Sequence, residues 1–345
     1  MKALVRFFVV LSLSYVLLPS CVESQSKIAA EATIVEGGQV EVSLPRGIEP
    51  LYIAGHASLA GAVAVHDVGD GCVLLQMMSG EDCFTWLDLS TGATFGLLNR
   101  GRGPDELIDA GYSGFRINGD GEKEIVAYSL SSSEAVIVNL TRSLSTGKTV
   151  VISRQKLPKG TMYALASGTR IYCYTMSPDR TIRWCLADEA EGGEPMLPFG
   201  KDGKVEDTSK FFAATAISED GNALVMAMAS FPRLYIFKRN GRHISLSLDD
   251  RTDDQLLAQM SSKQEDEADC CLWVQVRHGF IYCLIVDSEA AKAGKYEERL
   301  LVFDMNGRIK SATAIRNPLT SFVVSESDGA IVGITMDGQL VRFTL

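Results

Sequence analysis

An all-β fold, a six-bladed β-propeller of four-stranded antiparallel blades, is predicted by three observations. A turn followed by a short apolar strand recurs six times, and the glycines of those turns, Gly71, Gly121, Gly168, Gly221, Gly279 and Gly329, are spaced 50, 47, 53, 58 and 50 residues apart. A further strand follows every copy: FTWLDL, EAVIVNL, IRWCLA, RLYIFK, RLLVFD and QLVRFTL. The chain stops just after the third strand of the last unit. Four short strands repeated at roughly forty to fifty residues is the pattern of propeller blades.

The chain begins MKALVRFFVVLSLSYVLLPSC, with basic Lys2 and Arg6, an apolar run from Phe7 to Leu18 and turn residues before Cys21. That is the layout of a secretory signal peptide over residues 1–20, and it is short for a membrane span. Leu18, Pro19, Ser20 and Cys21 together resemble the lipobox of bacterial lipoproteins, with Pro19 departing from the usual small residue. The resemblance implies lipidation of Cys21; an ordinary secreted protein is the alternative. Acyl chains there would hold the chain at a membrane surface of the cell envelope, periplasmic or outward-facing, without spanning it. Residues 21–30 read as a lipid-anchored linker and 31–345 as the propeller.

Residues 31–44, EATIVEGGQVEVSL, precede the first blade and have no partner strand of their own. The expectation is that they complete the last blade and hide two free edges. The six copies then follow as DGCVLLQM, DGEKEIVAY, SGTRIYCYTM, DGNALVMAM, HGFIYCLIV and DGAIVGITM. In each, glycine supplies a positive φ, and in five of the six the Asp or Ser before it can bond the nearby backbone, His278 standing there in the fifth. One stretch breaks the pattern: residues 249–269 place Leu256, Leu257 and Met260 at helical spacing between acidic flanks. They predict a helical insertion between the fourth and fifth blades, either a solvated surface helix or a lid or docking element.

With 46% hydrophobic and 22% charged residues the chain is that of a folded protein, and its net charge of −10 argues against a nucleic-acid footprint, which needs clustered basic surface. Seven cysteines follow Cys21. A three-residue loop at 178–180 would set Cys173 opposite Cys185. A two-residue turn at His278–Gly279 pairs 274 with 283 and leaves Cys271 three positions off, so buried free thiols are expected for most.

Residues 99–107, NRGRGPDEL, lie between the first and second blades. Glycines let the chain double back there, and Pro104 stiffens the exit. A phosphate loop is excluded, because no Lys-Ser or Lys-Thr follows the glycines and GYSG comes next instead of a helix. GRGPDE resembles the GxGPGE signature of the TolB-like six-bladed propeller lipoproteins of Bacteroidetes, with Asp105 in place of glycine and Leu107 in place of the usual aromatic residue. What the resemblance implies is a binding or scaffold component more than a defined enzyme. FGKDGKVED echoes the loop between the third and fourth blades. Arg100, Arg102, Lys201 and Lys204 are therefore the candidate ligand-binding residues, forming with Lys156, Lys159 and Arg316 a basic rim on the crossover face. The rival reading has Asp105, Glu106, Asp202, Glu206 and Asp207 neutralise it.

No catalytic or metal set emerges. His66 and Asp67 are neighbours along a strand and so point to opposite faces. NGDGE at Asn118 fails as a calcium loop because Arg116 and Ala127 occupy ligand positions, and neither GxSxG nor HExxH occurs. No cofactor is expected. The sequence thus predicts an exported, lipid-anchored propeller that binds or scaffolds a protein or glycan partner. The alternative, by fold analogy alone, is a lyase or hydrolase working at the central channel; titratable side chains converging there would favour it.

Overall fold

The computed structural model describes residues 33–34, 42–51, 61–176, 178, 182–188, 194–195, 213–240, 242–248, 270–286, 297–326 and 328–345. Three strands come first: β1 (Thr33–Ile34), β2 (Val42–Ser43) and β3 (Arg46–Pro50). Blade I holds β4 (Ala62–Asp67), β5 (Cys72–Met77), β6 (Asp82–Asp88), β7 (Thr94–Arg100) and a short β8 (Glu106–Leu107). Blade II holds β9 (Gly111–Ile117), β10 (Lys123–Ser129), β11 (Glu134–Asn139) and, after helix α1 (Leu140–Thr146), β12 (Val151–Lys156). Blade III is β13 (Thr161–Ser167), β14 (Arg170–Met176), β15 (Ile182–Leu186) and β16 (Glu194–Pro195). Blade IV is β17 (Ala213–Ile217), β18 (Ala223–Met228), β19 (Arg233–Lys238) and β20 (His243–Ser247). Blade V is β21 (Cys271–Arg277), β22 (Phe280–Val286), β23 (Glu298–Asp304) and β24 (Ile309–Ile315), and blade VI adds β25 (Leu319–Val324), β26 (Ile331–Thr335) and β27 (Leu340–Thr344).

The six repeat glycines all take a left-handed φ, between 56° and 76°, as hairpins between first and second strands require. The core is divided into six apolar clusters, one in each gap between neighbouring blades. β18 shows why the repeat reads as a continuous apolar run. It is buried at all six positions, because Leu224, Met226 and Met228 pack toward blade III while Ala223, Val225 and Ala227 pack toward blade V. A strand sandwiched on both faces has no solvent side to alternate with.

Closure differs from the sequence expectation. The amino-terminal region does close the ring, but through β3, which pairs antiparallel with β27. Within the expected 31–44 segment, β1 instead runs parallel to β20 on blade IV, and β2 runs parallel to β24 on blade V, where Ser43 Oγ donates to Ala312 O at 3.2 Å. The strand that closes a blade must lie immediately upstream of the next blade's inner strand, so the residues nearest β4 take that place.

Two further features lay outside the repeat. Helix α1 is capped by the Asn139 side chain, which accepts from Arg142 N at 2.8 Å, and ends at left-handed Gly147. The inner strands of five blades carry one extra residue near their start: Val63, Ser113, Met162, Leu272 and Thr320. Such bulges re-aim the neighbouring side chains. Cys173 stands opposite Cys185 as expected, and Val274 opposite Cys283. The bulge at Leu272 nevertheless turns Cys271 toward Cys283, and their thiols share a hydrogen bond that helps to hold Cys271 protonated. No disulfide links any two of the seven described cysteines. Among the described residues no helix is long and apolar enough to cross a membrane.

Candidate functional site: crossover loop and central channel

The NRGRGPDEL loop folds upon itself. β8 returns parallel to the end of β7, with Asn99 beside Glu106 and Arg100 beside Leu107. Gly101 N donates to Leu107 O at 3.1 Å and Glu106 N to Gly103 O at 3.2 Å. The Glu106 carboxylate occupies the centre, accepting from Gly103 N at 2.7 Å. A Cβ on Gly101 would stand 2.0 Å from Glu106 Oε2, and one on Gly103 would stand 3.0 Å from it. The glycines are there to admit that carboxylate. The backbone donors that a phosphate loop would offer to a ligand are taken up within the loop, Gly103 N by the loop's own anion and Gly101 N and Glu106 N by backbone carbonyls. From blade II, Arg154 Nη2 donates to Pro104 O at 2.6 Å and Glu106 O at 3.1 Å, clasping the loop to the next blade.

The candidate rim separates accordingly. Arg100 is half-buried, and its guanidinium folds back to donate to Met77 O at the end of β5. Arg102, two residues on, is exposed, as are Lys156, Lys159 and Arg316 on their crossovers. Lys201 and Lys204 lie outside the described residues, as do Cys21, the signal peptide and the helical insertion at 249–269. NGDGE is a turn built by Asn118, whose Oδ1 accepts from Asp120 N and Glu122 N, and Arg116 pairs with the buried Glu124 at 2.7 Å.

The channel holds what sequence reasoning missed. His66 on β4 stacks on Tyr112 of β9, ring centroids 3.9 Å apart at 20°, and lies 6.1 Å from Trp273 of β21. Blades I and V are not neighbours, so inner-strand side chains of the two meet only across the channel. Asp67, on the opposite face of β4, accepts from Arg277 Nη2 of blade V at 3.1 Å. Arg277 also reaches Glu326 of blade VI at 3.2 Å and Glu219 of blade IV at 3.7 Å. One guanidinium thus ties four blades together at the mouth where inner strands end. Burial raises the Asp67 carboxyl above its usual range, and Arg277 pulls it back.

His66 is the group with capacity to spare. Gln76 Nε2 donates to Ala110 O at 2.8 Å, which leaves the Gln76 carbonyl to accept from the imidazole. Among the described residues His66 Nε2 has no partner, and it has no contact with solvent; the same is true of Arg277 Nε. Burial pushes the imidazole down to about 3, the Gln76 bond opposing, so His66 is neutral and its Nε2 carries a lone pair. Burial also drives the Tyr112 hydroxyl well above its usual range, so it stays protonated. The inner strands of blades I and II are the least closely apposed of the six neighbouring pairs, and the His66–Tyr112 stack fills that seam.

No family model matches the chain, and no curated protein matches it. Among solved structures it is similar to a member of the DUF4221 family from Bacteroides vulgatus, at 10% identity and TM-score 0.52, covering 88% of this chain and 96% of that one. It is a six-bladed propeller. It is similar also to a virginiamycin B lyase from Staphylococcus aureus, at 10% identity and TM-score 0.44 over 87% of this chain and 88% of that one. A protein of unknown function from Bacteroides caccae is 12% identical, with TM-score 0.39 over 74% of this chain and 86% of that one. At these identities the likeness is one of fold.

Proposed function

We propose that the chain is an exported lipoprotein, anchored through Cys21 in the cell envelope and akin to the TolB-like propeller lipoproteins, that binds or scaffolds a protein or glycan partner on its crossover face. One observation carries the reading. Loops joining second to third strands share a face with the crossovers, and on that face Met78, Ile108 and Met336 are exposed at 44%, 44% and 45%. They come from blade I, the crossover after it and blade VI, which are consecutive around the ring. Exposed Arg102 stands on the same crossover as Ile108. Apolar side chains next to an arginine are the composition of interface centres.

Two measurements test it. Cys21→Ala should move the protein from the membrane fraction to the soluble envelope fraction; unchanged retention removes the anchor. Arg102→Glu combined with Met78→Ser, Ile108→Ser and Met336→Ser should leave the melting temperature within a degree or two, since exposed substitutions change stability by about 0.5 kcal/mol or less each. It should abolish recovery of partners cross-linked in the envelope; an unchanged partner set removes the face.

A second reading, a lyase or hydrolase at the channel, is favoured by the convergence of His66, Asp67, Tyr112 and Arg277. His66→Gln abolishing a turnover activity that the face variant retains would support it over binding alone.

A further inference from the structure

We infer that the channel is itself a ligand site for one neutral, hydroxyl-rich ring: the terminal sugar of a glycan, held against the edge of the His66–Tyr112 stack and Trp273, above the Asp67–Arg277 pair. This deepens the binding reading and rests on it.

The leftover bonding capacity of the channel defines the ligand's chemistry. The His66 Nε2 lone pair needs a donor, and the Arg277 Nε–H needs an acceptor; neither finds one among the described residues. A hydroxyl group serves as both, so a hydroxyl-rich ring meets either need. Charge excludes the other small ligands. The Arg277 guanidinium is already surrounded by Asp67, Glu219 and Glu326, so three carboxylates face one base and an added phosphate or carboxylate meets net repulsion. A cation would have to displace that guanidinium. The aromatic faces supply the rest: Tyr112 and Trp273 come from inner strands of different blades and border the imidazole, and the C–H face of a sugar packs on such rings by dispersion and apolar burial.

Entry is from one side. At the far mouth Arg277 bridges blades I, IV, V and VI, closing the passage behind the site, so a ligand enters from the crossover face and only a chain end fits. Trp273 directly follows the extra residue Leu272, where the ladder to β22 is interrupted. That makes its ring the side chain best placed to move aside and expose His66 Nε2.

The experiment titrates the full chain with methyl α-glucoside, methyl β-galactoside and N-acetylglucosamine, with glucuronate as charged comparator. It follows tryptophan fluorescence and saturation transfer from protein to sugar. At least one neutral sugar should bind saturably, with transfer strongest to ring C–H groups and with glucuronate at least tenfold weaker. His66→Gln, which keeps size and polarity, should weaken binding about tenfold, as expected for one lost hydrogen bond of about 1.4 kcal/mol. Trp273→Phe should remove the fluorescence change while melting as the parent does. Absence of saturable binding by all three neutral sugars, preference for glucuronate, or binding untouched by His66→Gln would overturn the proposal. If the sugars fail while the crossover-face variant still loses its partners, this inference falls and the binding face stands. If the sugars bind and the face variant keeps every partner, the reverse holds.

Discussion

The crossover loop at 99–107 and the channel around His66 are both polar, and they differ in where their hydrogen bonds end. In the loop, nearly all donors and acceptors close upon one another, Arg100 Nε being enclosed without a partner among the described residues. The Glu106 carboxylate meets Gly103 N, Arg154 meets two loop carbonyls, and Arg100 turns inward to Met77 O. In the channel, His66 Nε2 and Arg277 Nε are enclosed and left over. A conspicuous motif can be occupied mainly with holding its own shape, whereas function is sought where several unsatisfied groups from different blades lie near one another.

Three substitutions sharpen that contrast. The largest effect is expected at Arg277→Met, which leaves Asp67, 8% exposed at its side chain, without its counter-charge beside Glu326. Removing one partner of a largely buried pair should cost about 3 kcal/mol, read as a lowered denaturant midpoint. A loss below about 0.5 kcal/mol, the range of an ordinary surface change, would show that the hub does not hold the blades. Next comes Gly101→Ala. Its Cβ would collide with Glu106 Oε2, pushing the carboxylate off Gly103 N, at a cost of about 2 kcal/mol for strain and a lost charged hydrogen bond. Unchanged stability would mean that the loop does not depend on its internal carboxylate.

The smallest effect at neutral pH is expected at His66→Gln, whose signature lies in acid. The imidazole is held neutral down to about 3 in the fold, whereas in the unfolded chain it takes a proton near 6.5. Between those values the unfolded state binds more protons, so this residue's contribution is full above about pH 6.5 and declines as pH falls toward 3. Asp67, raised by burial, acts in the opposite sense at the acid end of that window. Stability of His66→Gln should therefore fall less steeply from pH 6.5 downward than that of the parent. Parallel curves would show that the ring is not enclosed as described.

The repeat was legible because each blade needs the same glycine-dependent hairpin, and Gly71, Gly121, Gly168, Gly221, Gly279 and Gly329 are local in cause. The closing strand was misplaced because RGIEP, with Gly47 and Pro50, carries a weaker strand signal than EATIVEGGQVEVSL; only ring geometry decides which stretch reaches β27. Helix α1 was missed for its brevity, although Asn139 and Gly147 stood at its ends as a cap and a stop. The loop's position between blades was read correctly, yet the destination of Glu106 required coordinates. The channel group was invisible for a different reason. His66, Tyr112, Trp273 and Arg277 come from three separate repeats, and the bulges at Ser113 and Leu272 that re-aim their neighbours leave no mark in the residue pattern.

The amino-terminal strap also has a mechanical meaning. Tension applied upstream of Thr33 meets the two-residue pairing on blade IV first, then the one on blade V. It loads the closing strand on blade VI only after both have yielded. The two short parallel pairings work as sacrificial fasteners, so a tug on that end is absorbed at the rim before the ring is asked to open.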